Sequence, residues 1–486
     1  MKKNFILSSL ARLNMLFAAM MLFPFFVGII YKEPLRYLLN FLIPAFIIFL
    51  SGYMLYKKIE FKKTFNTKDA LTLVAICWLV YSIFGAIPFY LYPNDFNTFF
   101  DAFFESVAGF STTGATIARD VESLPNSIIF WRSFAQFIGG LGIISLTVSI
   151  LPKQSKKSTM IMKAESVGPT FGKITPKLSE TARVLYTLYL SLTAVTVIAL
   201  LFAGMNLFDS LIFAMGAAGT GGFANRGLSV GFYDSRAIEI ILGIAMLLFG
   251  VNFNLYYYAI IRSVKDSLKS EELKVYLAII AVSSILIFIN ILPMYSDAGY
   301  AGANSFFTVS SIITTTGYVS ADFGKWPLFS RHLLTLLMFV GGCAGSTAGG
   351  IKVSRIIMLY RSAVNQVKIT INPKRIAVNR LDGKRVDEEV EISTNRYLVI
   401  YTLLFILFML VVTLDTKDLE TAFTAVSATF NNIGPDIGQF GPMNSFTDMS
   451  YLSKFVLTFA MLFGRLEIYP MILLLSPENY KHLKNK

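Results

Sequence analysis

Four short polar loops, each centred on a glycine, interrupt otherwise apolar sequence and are built from residues whose oxygens could hold a hard cation. They read Ser111-Thr112-Thr113-Gly114-Ala115, Gly219-Thr220-Gly221-Gly222-Phe223, Thr314-Thr315-Thr316-Gly317-Tyr318 and Asn431-Asn432-Ile433-Gly434-Pro435. The shared glycines, Gly114, Gly222, Gly317 and Gly434, stand 108, 95 and 117 residues apart. Self-similarity of this kind predicts four repeats in one chain, each giving one loop to a common axis. A cation that leaves water loses its oxygen contacts, and rings of backbone carbonyls replace them with fixed dipoles and no net charge. Glycine suits such a loop because it tolerates positive φ and places no side chain on the axis. The flanking Thr112, Thr113, Thr220, Thr315 and Thr316 add small hydroxyls, and an oxygen-only ligand set favours hard cations over transition metals. A single Thr-Thr-Gly occurs by chance in turns, whereas four copies in matching context predict a pore.

The elements that must carry these loops are membrane spans. Of the 486 residues, 55% are hydrophobic, 44 are Phe and only 15% are charged, with a mean hydropathy of +0.60. Soluble domains carry about 25% charged residues, so the composition excludes an ordinary soluble enzyme. The net charge of +13 is unevenly spread: 32 of the 43 Lys and Arg fall in 1–12, 57–68, 153–183, 262–274, 352–396 and 481–486. These segments alternate with apolar runs, as the positive-inside rule requires, which puts both termini in the cytoplasm. A nucleic-acid-binding patch is the weaker reading, because the charges form no single domain. Cys77 and Cys343 lie in apolar contexts, and with only His332 and His482 a histidine metal site is not expected. The apolar run Asn14–Tyr31 exceeds the ~7–15 residues of a signal-peptide core and reads as a retained first span.

A spanning helix needs roughly 20 apolar residues. Spans at 10–31 and 35–56 form an N-terminal pair without a glycine loop. Each repeat then shows a span, a short segment, a loop and a second span. The first has 70–93, 97–109, Gly114 and 129–151; the second 183–204, 206–217, Gly222 and 237–261. The third has 274–294, 301–313, Gly317 and 330–360; the fourth 396–414, 418–430, Gly434 and 450–475. The fold expected is an all-α polytopic membrane protein of about ten spanning helices and four re-entrant helices. Its units are 1–62, 63–165, 166–268, 269–372 and 373–486. The short segments are about three turns long and can enter a bilayer only halfway, which is tolerated where backbone is buried in protein or lines water. Asp101 and Asp209 each precede their glycine by 13 residues and read as helix-start acids; Asn304 takes the same place in the third repeat.

These four loops resemble the selectivity filters of the Trk/Ktr/HKT potassium transporter superfamily, and the N-terminal pair makes the resemblance closest to the membrane subunits of bacterial Trk systems. The similarity covers essentially the whole chain. It implies M1–pore helix–M2 repeats, with K+ held by Ser111, Thr112, Thr113, Gly114, Thr220, Gly221, Gly222, Thr315, Thr316, Gly317, Asn432, Ile433 and Gly434. It further implies potassium uptake across the cytoplasmic membrane, a homodimer with one pore per protomer, and gating by a cytoplasmic nucleotide-binding ring of the TrkA type. The chain would then carry no cofactor of its own, and nucleotide would enter only through that partner. Glycine at all four key positions goes with potassium selectivity in the superfamily, and serine in the first loop with sodium. One departure is Asp436, where the family usually continues Gly-Pro-Gly. A carboxylate there could concentrate cations or alter selectivity.

A second unusual stretch, Gly341-Gly342-Cys343-Ala344-Gly345-Ser346-Thr347-Ala348-Gly349-Gly350-Ile351-Lys352, falls inside the expected span 330–360. Glycine costs about 1 kcal/mol in a helix relative to Ala, so a broken helix with a mobile intramembrane loop is expected. A phosphate-binding loop fails by one residue, since Ile351 occupies its lysine position; close packing of small residues is the plainer alternative. The resemblance favours a gate, comprising Gly341, Gly342, Gly345, Ser346, Thr347, Gly349, Gly350 and Lys352 together with Arg465. Arg465 lies in the last apolar span, where a charge costs at least ~2.5–3.5 kcal/mol, and must face protein or water. Glu467, two residues on, is badly spaced to pair with it on a helix. Arg132, Gln136, Asn252 and Asn254 are lesser pore-lining candidates for which interhelical hydrogen bonds are the plainer role. The segment 352–396 offers a docking surface for a soluble partner or a face toward anionic lipid. The sequence shows no catalytic constellation. A proton- or sodium-coupled symporter would lean on Glu239 and Glu467, and a sodium-permeable pore on Asp436.

Overall fold

In the computed structural model, residues 3–59, 66–92, 96–142, 178–261, 263–375, 378–438, 440–441 and 444–477 are described. The chain begins with Lys3–Met20 continuing as Leu22–Ile30, and Pro34 then opens the antiparallel partner Leu35–Lys58. Gly52 lets the two approach closely, since a Cβ there would lie 2.7 Å from Ala11 O. Four copies of one unit follow. Their first helices are Thr67–Tyr90, Leu178–Phe202, Glu271–Ile291 and Glu388–Val412. Thr67–Tyr90 is 61% buried, against 22–28% for the most apolar stretches of the other three. The N-terminal pair and the last short helix cover it, while the others turn residues such as Phe202, Val282 and Leu403 outward.

Half-length helices Phe99–Phe110, Leu207–Gly219, Ala298–Ile313 and Leu419–Phe430 lead into the glycine loops. Each start is built by a side-chain cap. Thr98 accepts from Asp101 N (3.1 Å), Asn206 from Asp209 N (2.9 Å), Asp297 from Gly299 N (2.7 Å) and Asp418 from Thr421 N (2.7 Å). At 12 to 16 residues these helices are roughly 18–24 Å long, short of a ~30 Å hydrocarbon layer. Asp101 and Asp209 sit in their first turns, as their spacing suggests. Asn304 does not: Asp297 starts the third helix earlier, which leaves Asn304 inside it, bonded to Ser320 Oγ at 2.7 Å.

The second helices of repeats two and four depart from the expectation of continuous spans, whereas the break expected in the third repeat is present. Arg236–Phe249 and Phe253–Ile261 bend by 86°. Leu328–Leu337 and Val353–Ile371 flank the glycine-rich stretch, and Tyr451–Arg465 is broken before Tyr469–Leu475. Asn126–Leu141 ends at Gly142, in the left-handed region at φ 87°; the rest of 129–151, the basic segment 153–177 and His482 lie outside the described residues. Six continuous helices among the described residues are long and apolar enough to cross a membrane, seven if the bent pair counts as one. Gly142, Gly250 and Gly345 each lie 28 residues after their loop glycine (142−114, 250−222, 345−317); the described helices stop just before the first two, whereas the third repeat's helix stops earlier, at Leu337. In the fourth repeat the connection is longer and the break follows Arg465.

Candidate cation site

Each glycine loop adopts the same backbone. Thr112, Thr220, Thr315 and Asn432 have φ of 57, 55, 56 and 59°, and the glycines two residues on have φ of 79, 77, 78 and 101°. The intervening residues are not in the positive-φ region, and this alternation turns successive carbonyls to one side. The N–H groups are committed to the helix end behind them. Thr113 and Gly114 donate to Ala108 O (2.9 and 3.1 Å), and Gly221 to Gly216 O (2.9 Å). Thr316 and Gly317 donate to Ser311 O (2.9 and 3.3 Å), and Ile433 and Gly434 to Ala428 O (2.7 and 3.3 Å). The loop carbonyls are left to face away from the helices.

Those carbonyls close a ring. A Cβ on Gly114 would strike Gly221 O, one on Gly222 would strike Thr316 O, and one on Gly317 would strike Ile433 O; one on Gly434 would lie 2.5 Å from Thr113 O. Each repeat's glycine thus abuts the carbonyl just before the next repeat's glycine, in the order one, two, three, four and back to one. The carbonyls of Thr113, Gly221, Thr316 and Ile433 are thereby linked, glycine to carbonyl, in one closed circuit through all four repeats. Threonine at positive φ is a backbone outlier that holds only where its surroundings over-determine it. Here the supports are dense. Ser111 Oγ meets Thr113 Oγ1 at 2.7 Å, and Thr314 Oγ1 meets Thr316 Oγ1 at 2.8 Å. Asn432 Nδ2 donates to Thr113 Oγ1 and Met461 O, both at 2.9 Å.

Behind the ring, buried polar groups tie loop to helix. Gln136 donates to Gly221 O (2.6 Å) and accepts from Phe223 N (3.1 Å), so it braces the second loop without standing alone on the axis. Arg132 donates to Glu105 (2.7 Å), Thr116 Oγ1 (3.0 Å) and Ala224 O (3.1 Å), with both charged side chains almost wholly buried. Lys454 of the last repeat pairs with Asp101 of the first at 2.8 Å. Tyr318 donates to Phe213 O (2.9 Å), and Tyr401 to Asn431 Oδ1 (2.8 Å). Glu105, Lys454, Tyr318 and Tyr401 escaped the reading of the sequence. A charge inside an apolar segment was the available signal for the first two.

Below the ring lies the glycine-rich stretch, folded back on itself. Val340 pairs with Ile351 as a parallel bridge, Gly341 N donates to Ile351 O (2.9 Å) and Val353 N to Gly342 O (3.2 Å). Gly345 (φ 74°) lies beside Asn252, and its carbonyl accepts from Phe253 N at 3.2 Å. Ser346 is buried, and Thr347 Oγ1 donates to Phe249 O at 3.2 Å. Gly349 N donates to Thr315 Oγ1 at 2.7 Å, and a Cβ on Gly349 would lie 2.5 Å from Asn431 O, so the stretch touches the third and fourth loops directly. Gly350 has φ 64°. Lys352, fully buried, donates to Ala348 O and to Gly349 O (3.2 Å). One oxygen of buried Glu272, another residue the sequence did not flag, accepts from Ala344 N (2.7 Å) and Ser354 N (3.0 Å). Arg465 donates to Thr347 O (2.7 Å) and to Gly139 O and Gly140 O (both 2.6 Å), joining repeats three, four and one. Glu467 is bound instead to Arg355. Asn254 N is bonded to Asn252 Oδ1 at the bend of the second repeat (2.9 Å).

Two stability outcomes follow from this geometry. Gly222→Ala meets both the positive φ and the Thr316 carbonyl, whereas Gly204 (φ 93°) has nothing within 4 Å of a built Cβ. Gly204→Ala should cost about 1–2 kcal/mol and Gly222→Ala at least ~1–3 kcal/mol more, read as unfolding midpoints in detergent. Arg132→Met should cost ~3–5 kcal/mol by stranding Glu105, and the double variant Arg132→Met/Glu105→Leu should recover much of that loss.

The family model TrkH, described as cation transport protein, matches residues 39–482. The Trk system potassium uptake protein TrkH of Escherichia coli (strain K12) is 34% identical over 473 residues, 96% of each chain. The TrkH of Halomonas elongata is 32% identical over 484 residues, 98% of this chain and 99% of that one. The crystal structure of the potassium transporter TrkH from Vibrio parahaemolyticus superposes with a TM-score of 0.88 at 32% identity, covering 99% of this chain and 100% of that chain. With its apolar spans and four-repeat fold, the chain is an integral membrane protein that belongs to the TrkH family of cation transport proteins, which are ion transporters and not enzymes.

Proposed function

We propose that the chain takes up potassium across the cytoplasmic membrane through the four-carbonyl ring. The closed arrangement of Thr113, Gly221, Thr316 and Ile433 oxygens carries this reading. Four half-length helices end at the ring, so their partial negative ends favour a cation without a fixed charge to trap it. The relatives, which are named potassium uptake proteins, support K+ as the ion.

Below the ring the 341–352 loop and Arg465 form the barrier. A guanidinium and the Lys352 ammonium bonded to backbone carbonyls occupy positions that a passing cation would need, so uptake requires their withdrawal. The opening signal comes from a cytoplasmic nucleotide-binding subunit of the TrkA type that docks on the basic surface of 352–396. The chain works as a homodimer with both termini in the cytoplasm, and nucleotide acts only through that partner. Channel-like passage is favoured over coupled symport because Glu467, one of the two acids a symport would lean on, is committed to Arg355. Asp436 has no exposed surface and lies within electrostatic reach of Asp418 and Glu420 beside the fourth half-length helix. That position suits support of the fourth loop better than attraction of cations from water.

The test is cation flux in proteoliposomes under K+, Rb+ and Na+ gradients. Wild type should pass K+ and Rb+ selectively. Gly114→Ser places a Cβ against Gly221 O at φ 79° and should cut discrimination against Na+ by roughly tenfold, about 1.4 kcal/mol of lost preference. Equal flux of all three ions, unchanged by the substitution, would reduce the ring to scaffold.

A further inference from the structure

Arg355 lies in the first turn of Val353–Ile371, the helix that continues the 341–352 loop into the basic segment. Its guanidinium donates to both oxygens of Glu467, at 3.1 and 2.7 Å, and covers the Tyr397 ring at 4.1 Å. The two side chains are 10% and 18% exposed, so the planar fork of arginine meets the carboxylate largely out of water. Glu467 stands in the break of the last span at φ 55°, followed by Ile468 at φ 70°. A β-branched residue at positive φ is a true outlier and persists only where its neighbours hold it. Arg355 supplies such a hold.

Two residues before Glu467 is Arg465, on Thr347 O of the loop and on Gly139 O and Gly140 O of the first repeat. The loop-and-helix unit is therefore tied twice to the same break: Thr347 through Arg465, and Arg355 through Glu467. The cluster also reaches the fourth loop, since Tyr401, whose ring lies tilted 6.1 Å from that of Tyr397, donates to Asn431. Displacing Val353–Ile371 must either separate a largely buried charge pair or pull the strained turn along with it.

We propose that the Arg355–Glu467 pair couples movement of the helix Val353–Ile371 to withdrawal of Arg465 from beneath the ring. This rests on the reading of Arg465 and the loop as the barrier. Arg355 and Glu467 are positioning residues; they act through Arg465 and touch no ion.

The test is Rb+ flux through the full chain in proteoliposomes without its partner, with the Rb+/Na+ ratio recorded in parallel. Arg355→Gln and Glu467→Gln each free the turn and should raise flux roughly two- to thirty-fold at an unchanged ratio. The exchange Arg355→Glu/Glu467→Arg should return flux toward wild type, which a merely structural loss would not do. Arg355→Lys keeps the charge without the bidentate geometry and should fall between, giving a readable variant if a neutral one fails to fold. Arg465→Ala separates the two levels of the argument. If it raises flux while the neutral variants behave as wild type, the coupling is overturned and the barrier stands. If Arg465→Ala leaves flux unchanged, the barrier reading falls and the coupling with it. Neutral variants that raise flux without rescue by the exchange would also overturn the pair's role.

Discussion

A backbone carbonyl from one repeat must stand against the glycine Cα of the preceding repeat, and it must do so four times around a closed circuit. The contacts made by Gly114, Gly222, Gly317 and Gly434 leave no room for a methyl group, and their φ values exclude most side chains independently. The carbonyls can face the axis only because the neighbouring N–H groups are already satisfied by the ends of the half-length helices. Those helices in turn start where Thr98, Asn206, Asp297 and Asp418 cap them. The ring's geometry therefore rests on short-range backbone hydrogen bonding that each repeat supplies for itself.

Closing four repeats of a linear chain requires a seam between the first and the last, and charge carries much of it. Lys454 pairs with Asp101, Asn432 bonds Thr113, and Phe446 N donates to Thr116 O at 2.9 Å. Lower down, Arg465 crosses the same seam to Gly139 and Gly140. In an apolar medium each of these groups would be strongly unfavourable alone, and partnered they hold the repeats in register. The interruptions of the second helices serve the same end. A continuous helix has no free carbonyl for Arg465 and no free N–H for Glu272, whereas the end of Asn126–Leu141 supplies Gly139 O and Gly140 O, and the break at 341–352 supplies Thr347 O and Ala344 N.

The sequence made the repeats legible because glycine at positive φ and apolar spans are local properties. Asp101 and Asp209 were readable as helix-start acids for the same reason. Asn304 was misplaced because its helix begins earlier, at an Asp297 cap that the 13-residue spacing does not register. Breaks in the second and fourth repeats were hidden by composition: Phe-Gly-Val-Asn-Phe and Gly-Arg-Leu-Glu-Ile hold too few glycines to disqualify a span. The 28-residue offset of Gly345 from Gly317 recurs between Gly222 and Gly250 and would have exposed the break in the second repeat. Glu105, Glu272 and Lys454 stayed obscure because their partners lie far away in sequence, and an unpaired charge does not name its counterpart.

The central claim is that four main-chain oxygens from four repeats hold one dehydrated cation, and anomalous diffraction from crystals grown in Rb+ tests it most directly. The account predicts a Rb+ peak on the axis, shared among the carbonyls of Thr113, Gly221, Thr316 and Ile433, that weakens when Na+ replaces Rb+. A protein that transports Rb+ while its crystals place the ion elsewhere and leave that ring without density would contradict it.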